Sequence, residues 1–316
     1  MQTSAPYRII FMGTPDFAVP SLKALLAHGE QVVAVVCQPD KPKGRGRKLS
    51  PPPVKEVAMA AGIPVLQPTK IRTEEFLAEI RSFKADLIVV TAYGRILPGS
   101  LLNLPPLGTI NVHGSLLPKY RGAAPIQWAV LNGEKETGIT IMQMDEGMDT
   151  GDILLPGALP ITAEDTAGSL AAKMADLGGS LLIEALERLK AGKLPSTKQD
   201  EALATLAPPL NKQQSEIDWS KTATEISCQI RGLDPWPMAH TTLDGKWLRL
   251  FKPEIIPDVT GEVAGTLRRA DKNGLVIATG ENSLRIREVQ LEGGKRMSVD
   301  AFLRGRPLAK GLRFPA

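Results

Sequence analysis

The sequence predicts an α/β fold, a doubly wound and mostly parallel sheet, followed by a small β-barrel domain. Over the first 160 residues, short apolar runs alternate with segments whose apolar residues recur at helical spacing. Such alternation is typical of a parallel sheet with helices on both faces. Towards the C-terminus, short strand-like segments are separated by Gly and Asp turns, which is typical of an all-β domain.

Strands and helices can be assigned in order along the first part of the chain. The segments between the strands are predicted helices, and Pro20 falls early in the first one, where a missing N–H is tolerated. A long helix is predicted over 165–192, because this segment opens with an Asp/Thr capping signal. The predicted strands are 7–13, 31–38, 63–68, 85–93, 108–114 and 136–145.

A polar, proline-containing stretch at 193–216 separates the two predicted domains. We assign residues 1–192 to the α/β domain, 193–209 to a linker and 210–316 to the β domain. This second domain is predicted to contain one helix, at 222–233.

Two hairpins are predicted in the second domain, around Asp244-Gly245 and around Asn273-Gly274. Asp-Gly and Asn-Gly pairs between apolar segments favour the tight turns of hairpins. The tryptophans Trp219, Trp236 and Trp247 are expected in core or interdomain packing.

The composition is that of an ordinary globular protein. Hydrophobic residues make up 43% of the chain and charged residues 23%. No apolar run approaches the ~20 residues of a membrane helix, and the N-terminus does not resemble a signal peptide. Cys37 and Cys228 match neither a metal nor a disulfide spacing. We therefore expect a reducing, cytoplasmic location.

The net charge of +4 lies entirely in the last third of the chain. Residues 1–206 carry equal numbers of basic and acidic side chains, whereas residues 207–316 carry 17 basic and 13 acidic ones. The excess is compatible with an ordinary solvated surface, and it also suits a polyanionic partner.

Asn111 and His113 lie at the end of a predicted strand, where open α/β sheets bind their ligands. Being two residues apart, they point to the same face. An amide and an imidazole together can hold and polarise a carbonyl oxygen. The alternative is that both residues merely cap the strand.

A second acidic segment, "MDEGMDTGDIL", places Asp145, Glu146, Asp149 and Asp152 in a loop that leaves another strand. The D-x-D-x-D-G spacing of a calcium loop is absent. A carboxylate here can reach His113 and orient its ring, as in catalytic triads. A plain solvated loop is the alternative.

Several function classes lack their motifs. "GTPDF" follows the first strand but is not G-x-G-x-x-G, which argues against an NAD-type oxidoreductase. The sequence contains no P-loop, no G-x-S-x-G and no clustered His/Cys metal site.

Four stretches carry a resemblance to a known family: "FMGTPDFAVPSLKAL", "QPDKPKGRGRKLSPPPVKEVA", "INVHGSLLPKYRGAAPIQWAVLNGEKETGITIMQMDEGMDTGDIL" and "IDWSKTATEISCQIRGLDPWP". They resemble the folate-dependent formyltransferases and extend over nearly the whole chain. "RGAAP", the loop at 39–53 and the C-terminal domain point to the branch that formylates initiator methionyl-tRNA. The resemblance implies a Rossmann-like catalytic domain followed by an OB-like barrel that binds tRNA.

The resemblance also implies roles for individual residues. Asn111, His113 and Asp149 match the catalytic trio of the family. The formyl donor is 10-formyltetrahydrofolate, no metal is needed, and a monomer is expected. The formyl-folate segment corresponds to Ser115, Leu116, Leu117 and Pro118, and the loop lining the pterin pocket corresponds to Ala92, Tyr93, Gly94, Ile96 and Leu97.

The predicted tRNA contacts are basic. The loop at 39–53 carries Lys41, Lys43, Arg45, Arg47 and Lys48 with no acidic residue among them. Beside a catalytic cleft, such a loop is suited to binding phosphates near the acceptor end of a tRNA. A solvated, non-binding loop is the alternative.

The C-terminal end of the chain is also basic, with only Asp300 opposing six basic residues. They are Lys295, Arg296, Arg304, Arg306, Lys310 and Arg313. One departure from the family lies in the linker, where Leu206 and Pro209 replace an aromatic residue and a lysine. This departure affects the expected linker contacts to RNA and leaves the chemistry unchanged.

Two other functions remain open from the sequence. A related enzyme that formylates a small-molecule amine would not need the basic loop or the basic β domain. A non-enzymatic RNA-binding module on the same scaffold would leave Asn111, His113 and Asp149 without a role.

Overall fold

The computed structural model describes residues 5–43, 48–258 and 261–315. The chain divides into two compact units. The first comprises Met1–Pro125, Thr137–Leu159 and Ala171–Ala207, and the second comprises Ile126–Glu136, Pro160–Leu170 and Pro208–Ala316. Residues 193–207 of the predicted linker thus belong to the first unit, and the predicted domain boundaries themselves stay a prediction.

The sheet of the first unit confirms the predicted doubly wound topology. All six predicted strands are present, together with three that were not predicted. In chain order the strands are β1 (Arg8–Gly13), β2 (Gln31–Val36), β3 (Lys41–Lys43), β4 (Lys48–Ser50), β5 (Val65–Leu66), β6 (Leu87–Thr91), β7 (Thr109–His113), β8 (Glu136–Gln143) and β9 (Ile153–Pro160).

Seven of these strands form one sheet in the order β5-β2-β1-β6-β7-β8-β9. The pairs from β5 to β7 are parallel, and β7 pairs with β8 in the antiparallel direction. The strand order reverses between β1 and β6, so the carboxyl ends of these two strands flank the crevice where such sheets bind ligands. The loop after β7 lies one strand further along the same edge.

The helices of the chain cover the predicted segments, with α4 and α8 in addition. Their ranges are α1 (Val19–His28), α2 (Pro53–Ala60), α3 (Glu74–Ser82), α4 (Gly99–Leu102), α5 (Pro125–Leu131), α6 (Ala167–Lys190), α7 (Ala223–Gly232) and α8 (Val299–Gly305). Within the described residues, no helix combines the length and the apolar character that crossing a bilayer requires.

Helix α3 illustrates why these segments fold where they do. Its N-terminus is capped by the Thr73 hydroxyl, which accepts a hydrogen bond from the Phe76 N–H. Phe76 and Ile80 are buried in one apolar cluster with Ile10 and Met12 of β1. Full burial of a side chain of this size stabilises the fold by about 1.5–3 kcal/mol.

The second unit contains the predicted antiparallel β domain. Its strands are β10 (His240–Leu243), β11 (Lys246–Ile256), β12 (Leu267–Asp271), β13 (Gly274–Ala278), β14 (Ser283–Leu291) and β15 (Met297–Ser298). They pair in the order β10-β11-β14-β13-β12, with β15 on β14. Both predicted hairpins are present, and the predicted helix is α7.

The turns and tryptophans of this unit refine two expectations. Asp244 and Gly245 both have positive φ, as a type I′ hairpin turn requires. The second turn falls at residues 272–273, because Gly274 already begins β13. Trp219 is fully buried in the core, whereas Trp236 and Trp247 are 53% and 45% exposed. The expectation of core packing is therefore confirmed for Trp219, whereas Trp236 and Trp247 are not core residues and their interdomain packing stays a prediction.

Candidate active site

Strand β7 carries Asn111 and His113 on the same face, as the sequence predicts. The Asn111 side chain is half-buried, and its amide has no hydrogen-bond partner among the described residues. A half-buried amide without a partner is a donor and acceptor that a ligand can use.

His113 is 5% exposed, and both of its ring nitrogens face acceptors. Its Nε2 lies 3.1 Å from the carbonyl oxygen of Tyr120, and its Nδ1 lies 3.6 Å from Oδ1 of Asp149. A carbonyl oxygen only accepts, so Nε2 carries a proton and donates it to Tyr120. The distance to Asp149 is that of an ion pair and is too long for a hydrogen bond.

Asp149 is the carboxylate of the acidic segment that faces His113. Its Oδ2 accepts a hydrogen bond from the Gly122 N–H at 2.8 Å. Its backbone adopts φ +54°, a left-handed conformation that costs a non-glycine residue about 1–2 kcal/mol. Surrounding contacts must therefore hold this conformation.

The other acidic residues of the segment serve different contacts. Asp145 accepts hydrogen bonds from the Gly147 N–H and the Thr150 hydroxyl. Asp152 accepts one from the Ser196 hydroxyl at 2.6 Å. Residues 5–43, 48–258 and 261–315 contain no group of three or more His, Cys, Asp or Glu that suits a metal ion.

The segment Ser115–Pro118 forms a tight turn directly after β7. The Ser115 hydroxyl donates to the carbonyl oxygen of Lys119 at 2.6 Å, and Leu117 N–H donates to the Thr140 hydroxyl. The Leu117–Pro118 peptide bond is cis. Ser115 and Leu117 are buried, whereas Leu116 and Pro118 are partly exposed. The latter two side chains are the ones available to a ligand.

The loop 92–97 follows β6 at the point where the strand order reverses. Tyr93 and Leu97 are buried in the core, and Ala92, Gly94 and Ile96 are exposed. The carbonyl oxygen of Tyr93 accepts hydrogen bonds from the Thr14 hydroxyl and the Gln38 amide. These bonds tie the loop to the segments that follow β1 and β2.

The basic loop forms a short antiparallel hairpin of β3 and β4, in which Lys43 pairs with Lys48. Lys41 is exposed. Arg45 and Arg47 lie outside the described residues.

Asp40, which directly precedes β3, forms a polar cluster with Lys55 and Gln67. Lys55 Nζ lies 2.9 Å from both carboxylate oxygens of Asp40 and 2.8 Å from Oε1 of Gln67. Hydrogen bonding from Gln67, and then from Lys55, lowers the pKa of Asp40. Burial raises the pKa of the nearby Cys37 thiol to about 11, so it is no reactive nucleophile.

The basic C-terminal end is partly neutralised. Arg296 pairs with Asp234 and Glu288, Arg304 with Asp300, and Arg306 with Asp244. The sequence shows only Asp300 as a local acid, because the other partners are distant along the chain. In the part of the chain that the structure describes, Lys295, Lys310 and Arg313 have no ion-pair partner.

Comparisons with known proteins agree with this arrangement. A family model described as Formyl transferase matches residues 7–186, and a second, described as Formyl transferase, C-terminal domain, matches residues 209–307. A protein of Desulfotalea psychrophila named methionyl-tRNA formyltransferase is 61% identical over 298 residues, which are 94% of this chain and 92% of that protein. One of the same name from Geobacter sulfurreducens is 50% identical over 309 residues, 98% of this chain and 97% of that protein.

Solved structures with the same fold include more distant proteins. HypX from Aquifex aeolicus, in complex with tetrahydrofolic acid, has a TM-score of 0.65 at 18% identity and covers 99% of this chain, which spans 51% of HypX. The sugar 3N-formyl transferase WlaRD has a TM-score of 0.67 at 20% identity and covers 92% of this chain and all of its own. At these identities the likeness concerns the fold.

Proposed function

This chain belongs to the formyl transferase family, and on that premise we propose that it transfers the formyl group of 10-formyltetrahydrofolate to the α-amino group of methionyl-tRNA. The observation that supports its catalytic site is the 3.6 Å approach of Asp149 Oδ1 to His113 Nδ1 at the end of β7, beside the unpartnered Asn111. Relatives named methionyl-tRNA formyltransferase match nearly the whole chain at 50–61% identity.

The reaction forms a C–N bond between the amino nitrogen and the formyl carbon and breaks the bond from that carbon to the folate nitrogen. The formyl oxygen gains negative charge when the amine attacks. Asn111 donates a hydrogen bond to this oxygen, and His113 adds positive charge beside it. Loss of one such donor typically costs about 10²–10³ in rate.

His113 acts through Nδ1, because Tyr120 already occupies Nε2. The 3.6 Å separation from Asp149 is longer than a hydrogen bond, so Nδ1 is the ring nitrogen left available to the substrate. Asp149 orients the ring by facing Nδ1 with its carboxylate. One proton leaves the attacking nitrogen and one reaches the departing folate nitrogen, with Asp149 steering the water that carries them.

The folate contacts come from the two loops beside these residues. Leu116 and Pro118 present their partly exposed side chains, and Ile96, at 73% exposure, adds an apolar surface for the pterin. Tyr93 and Leu97 are buried, so they shape the pocket from the core and offer only backbone groups to the ligand.

The tRNA is bound through its phosphates by Lys41, Lys43, Arg45, Arg47 and Lys48, and by free basic side chains of the second unit. The basic loop also distinguishes initiator from elongator tRNA by meeting the unpaired acceptor end. The protein acts in the cytoplasm as a monomer. Sedimentation of the purified protein tests its monomeric state.

The substrate class is tested by offering one formyl donor to different amines. With 10-formyltetrahydrofolate, we expect transfer to initiator methionyl-tRNA and none to uncharged tRNA, amino-sugar nucleotides or glycinamide ribonucleotide. Transfer to a small-molecule amine in preference to methionyl-tRNA contradicts the proposal and favours the small-molecule formyltransferases. Binding of methionyl-tRNA without any transfer favours an RNA-binding module.

A further inference from the structure

Residues 197–207, here called the strap, run along the segment that follows His113 and the loop that carries Asp149. Thr197 exchanges both backbone hydrogen bonds with Ile153. Near the other end, Arg121 N–H donates to the Thr205 carbonyl, and Ala207 N–H donates to the Arg121 carbonyl. The strap is therefore part of the first unit's folded structure on both sides of the site.

Gln199 joins the strap directly to the loop of Asp149. Its side-chain Nε2 lies 2.7 Å from the carbonyl oxygen of Asp149 and 2.7 Å from that of Gly151. One amide group thus uses both of its N–H donors on a three-residue segment. One of the two acceptors belongs to Asp149 itself, whose backbone has the unfavourable left-handed φ of +54°.

Gln199 is itself held by Arg121. Its Oε1 accepts hydrogen bonds from Nε and Nη2 of Arg121 at 3.0 and 2.8 Å. Arg121 is 5% exposed, and its guanidinium forms a two-point ion pair with Glu201. Hydrogen bonding to Glu201 raises the pKa of Arg121, so the guanidinium is a fixed donor to Gln199.

Tyr120 and Gly122, the neighbours of Arg121 in the chain, contact the catalytic residues directly. The Tyr120 carbonyl accepts from His113 Nε2, and the Gly122 N–H donates to Oδ2 of Asp149. Three consecutive residues therefore hold the histidine, the carboxylate and, through Gln199, the backbone of the carboxylate's loop.

From this geometry we propose that Gln199 is a positioning residue that fixes Asp149 for its interaction with His113. The proposal rests on the proposed function, since the rate it controls is that of formyl transfer. Gln199 makes no contact with the reacting groups. It acts by holding the Asp149 backbone so that Oδ1 faces Nδ1 of His113.

The test uses two variants, of which the first removes only the two donors and the second removes the donors and the acceptor. Gln199→Glu retains an oxygen for Arg121 and loses both hydrogen bonds to the Asp149 loop, and Gln199→Met keeps the length without any polar atom. We expect kcat for formyl transfer to fall about 10–100-fold, the size of effect known for hydrogen-bonding groups that orient metal-ligating side chains. The KM for 10-formyltetrahydrofolate remains close to wild type, and the variants stay folded at the assay temperature, although the lost hydrogen bonds lower the melting temperature.

The neighbouring Lys198 provides the matched control. Its side chain is exposed and makes no hydrogen bond or ion pair among the described residues. Lys198→Ala should leave kcat unchanged. An equal fall in kcat for Lys198→Ala and the Gln199 variants, or unchanged kcat in both Gln199 variants, overturns the proposal.

A double-mutant cycle separates positioning of Asp149 from general damage to the fold. In the Asp149→Asn background, Gln199→Glu should lower kcat by less than about twofold, because the two residues act through one interaction. Independent effects that multiply overturn the proposal. A crystal structure of Gln199→Glu tests the proposal independently of any activity assay. An unchanged distance between His113 Nδ1 and Asp149 Oδ1 in this variant also overturns the proposal. If wild-type protein transfers no formyl group, the proposed function fails. The crystal structure of the Gln199→Glu variant is then the remaining test of the positioning role.

Discussion

The Nε2 of His113 lies 3.1 Å from the carbonyl oxygen of Tyr120, seven residues along the chain. This bond assigns a proton to Nε2 and leaves Nδ1 as the nitrogen that faces Asp149 and the substrate. The Ser115–Pro118 turn lies between the two residues and returns the chain to the histidine. The loop after β7 thereby determines which nitrogen of the ring is available to the substrate.

Substitutions that mimic one ring nitrogen at a time test this assignment. The amide nitrogen of His113→Asn occupies the place of Nδ1, and that of His113→Gln the place of Nε2. We expect kcat to fall by about 10²–10³ in His113→Gln, as for a lost oxyanion donor, and clearly less in His113→Asn. The two variants are compared by their steady-state rates at saturating 10-formyltetrahydrofolate. A reversed order contradicts the use of Nδ1.

Gly122 is predicted to tolerate no side chain. It has φ +121°, and an added Cβ would lie 2.9 Å from the Ala207 carbonyl oxygen. Gly122→Ala should lower the free energy of unfolding by about 1–3 kcal/mol more than Gly192→Ala, and should also lower kcat by displacing the bond to Asp149. Gly192 also has a positive φ, of +64°, but open space around it. Urea denaturation of both variants measures the difference, and equal losses contradict the close approach.

The Asp40–Lys55–Gln67 cluster predicts a pH-dependent contribution to stability. The pKa of Asp40 is lowered from 3.8 in the folded protein, by Gln67 first and Lys55 second. Its stabilising effect is thus complete above pH 3.8 and is lost as the pH falls further through the lowered value. Wild type should be more stable than Asp40→Asn at pH 7, with a difference that shrinks below pH 3.8.

Urea unfolding at a series of pH values measures this difference. Asp176→Asn, at an exposed position of α6, serves as the control and should show no comparable change. A wild-type advantage over Asp40→Asn that grows on acidification would show that the cluster does not stabilise the ionised carboxylate.

Arg45 is predicted to bind tRNA phosphate and to contribute to the choice of initiator tRNA. Arg45→Ala should lower the rate with initiator methionyl-tRNA and change its ratio to the rate with elongator methionyl-tRNA. The slope of log affinity against log salt should fall by about 0.7–0.9 for one lost phosphate contact. Arg72→Ala, at an exposed position outside the hairpin, should change neither. If both rates and their ratio survive Arg45→Ala, the hypothesis for the basic loop is wrong.

Local patterns in the sequence predict the strands and helices and the residues that share a face. They do not predict contacts between residues that are distant along the chain. The strand at 108–114 and its pair Asn111 and His113 follow from apolar patterning and the period of a strand. Strand β14, "SLRIREVQL", was not named as a separate element, although Leu284 and Ile286 alternate with charged residues as in a half-buried strand, because this alternation is short and breaks at Glu288 and Val289. Gln199 lies in a polar stretch fifty residues from Asp149. Nothing in the local pattern indicates that its amide donates a hydrogen bond to the Asp149 carbonyl oxygen.

The central claim is that His113 takes part in formyl transfer to methionyl-tRNA. The most direct measurement is single-turnover transfer from 10-formyltetrahydrofolate to charged initiator methionyl-tRNA, with wild type beside His113→Ala. We predict rapid transfer by wild type and a loss of at least about 10²-fold in the variant, with folate binding retained. Transfer that survives in His113→Ala would contradict the mechanism, and absence of transfer by folate-bound wild type would contradict the substrate.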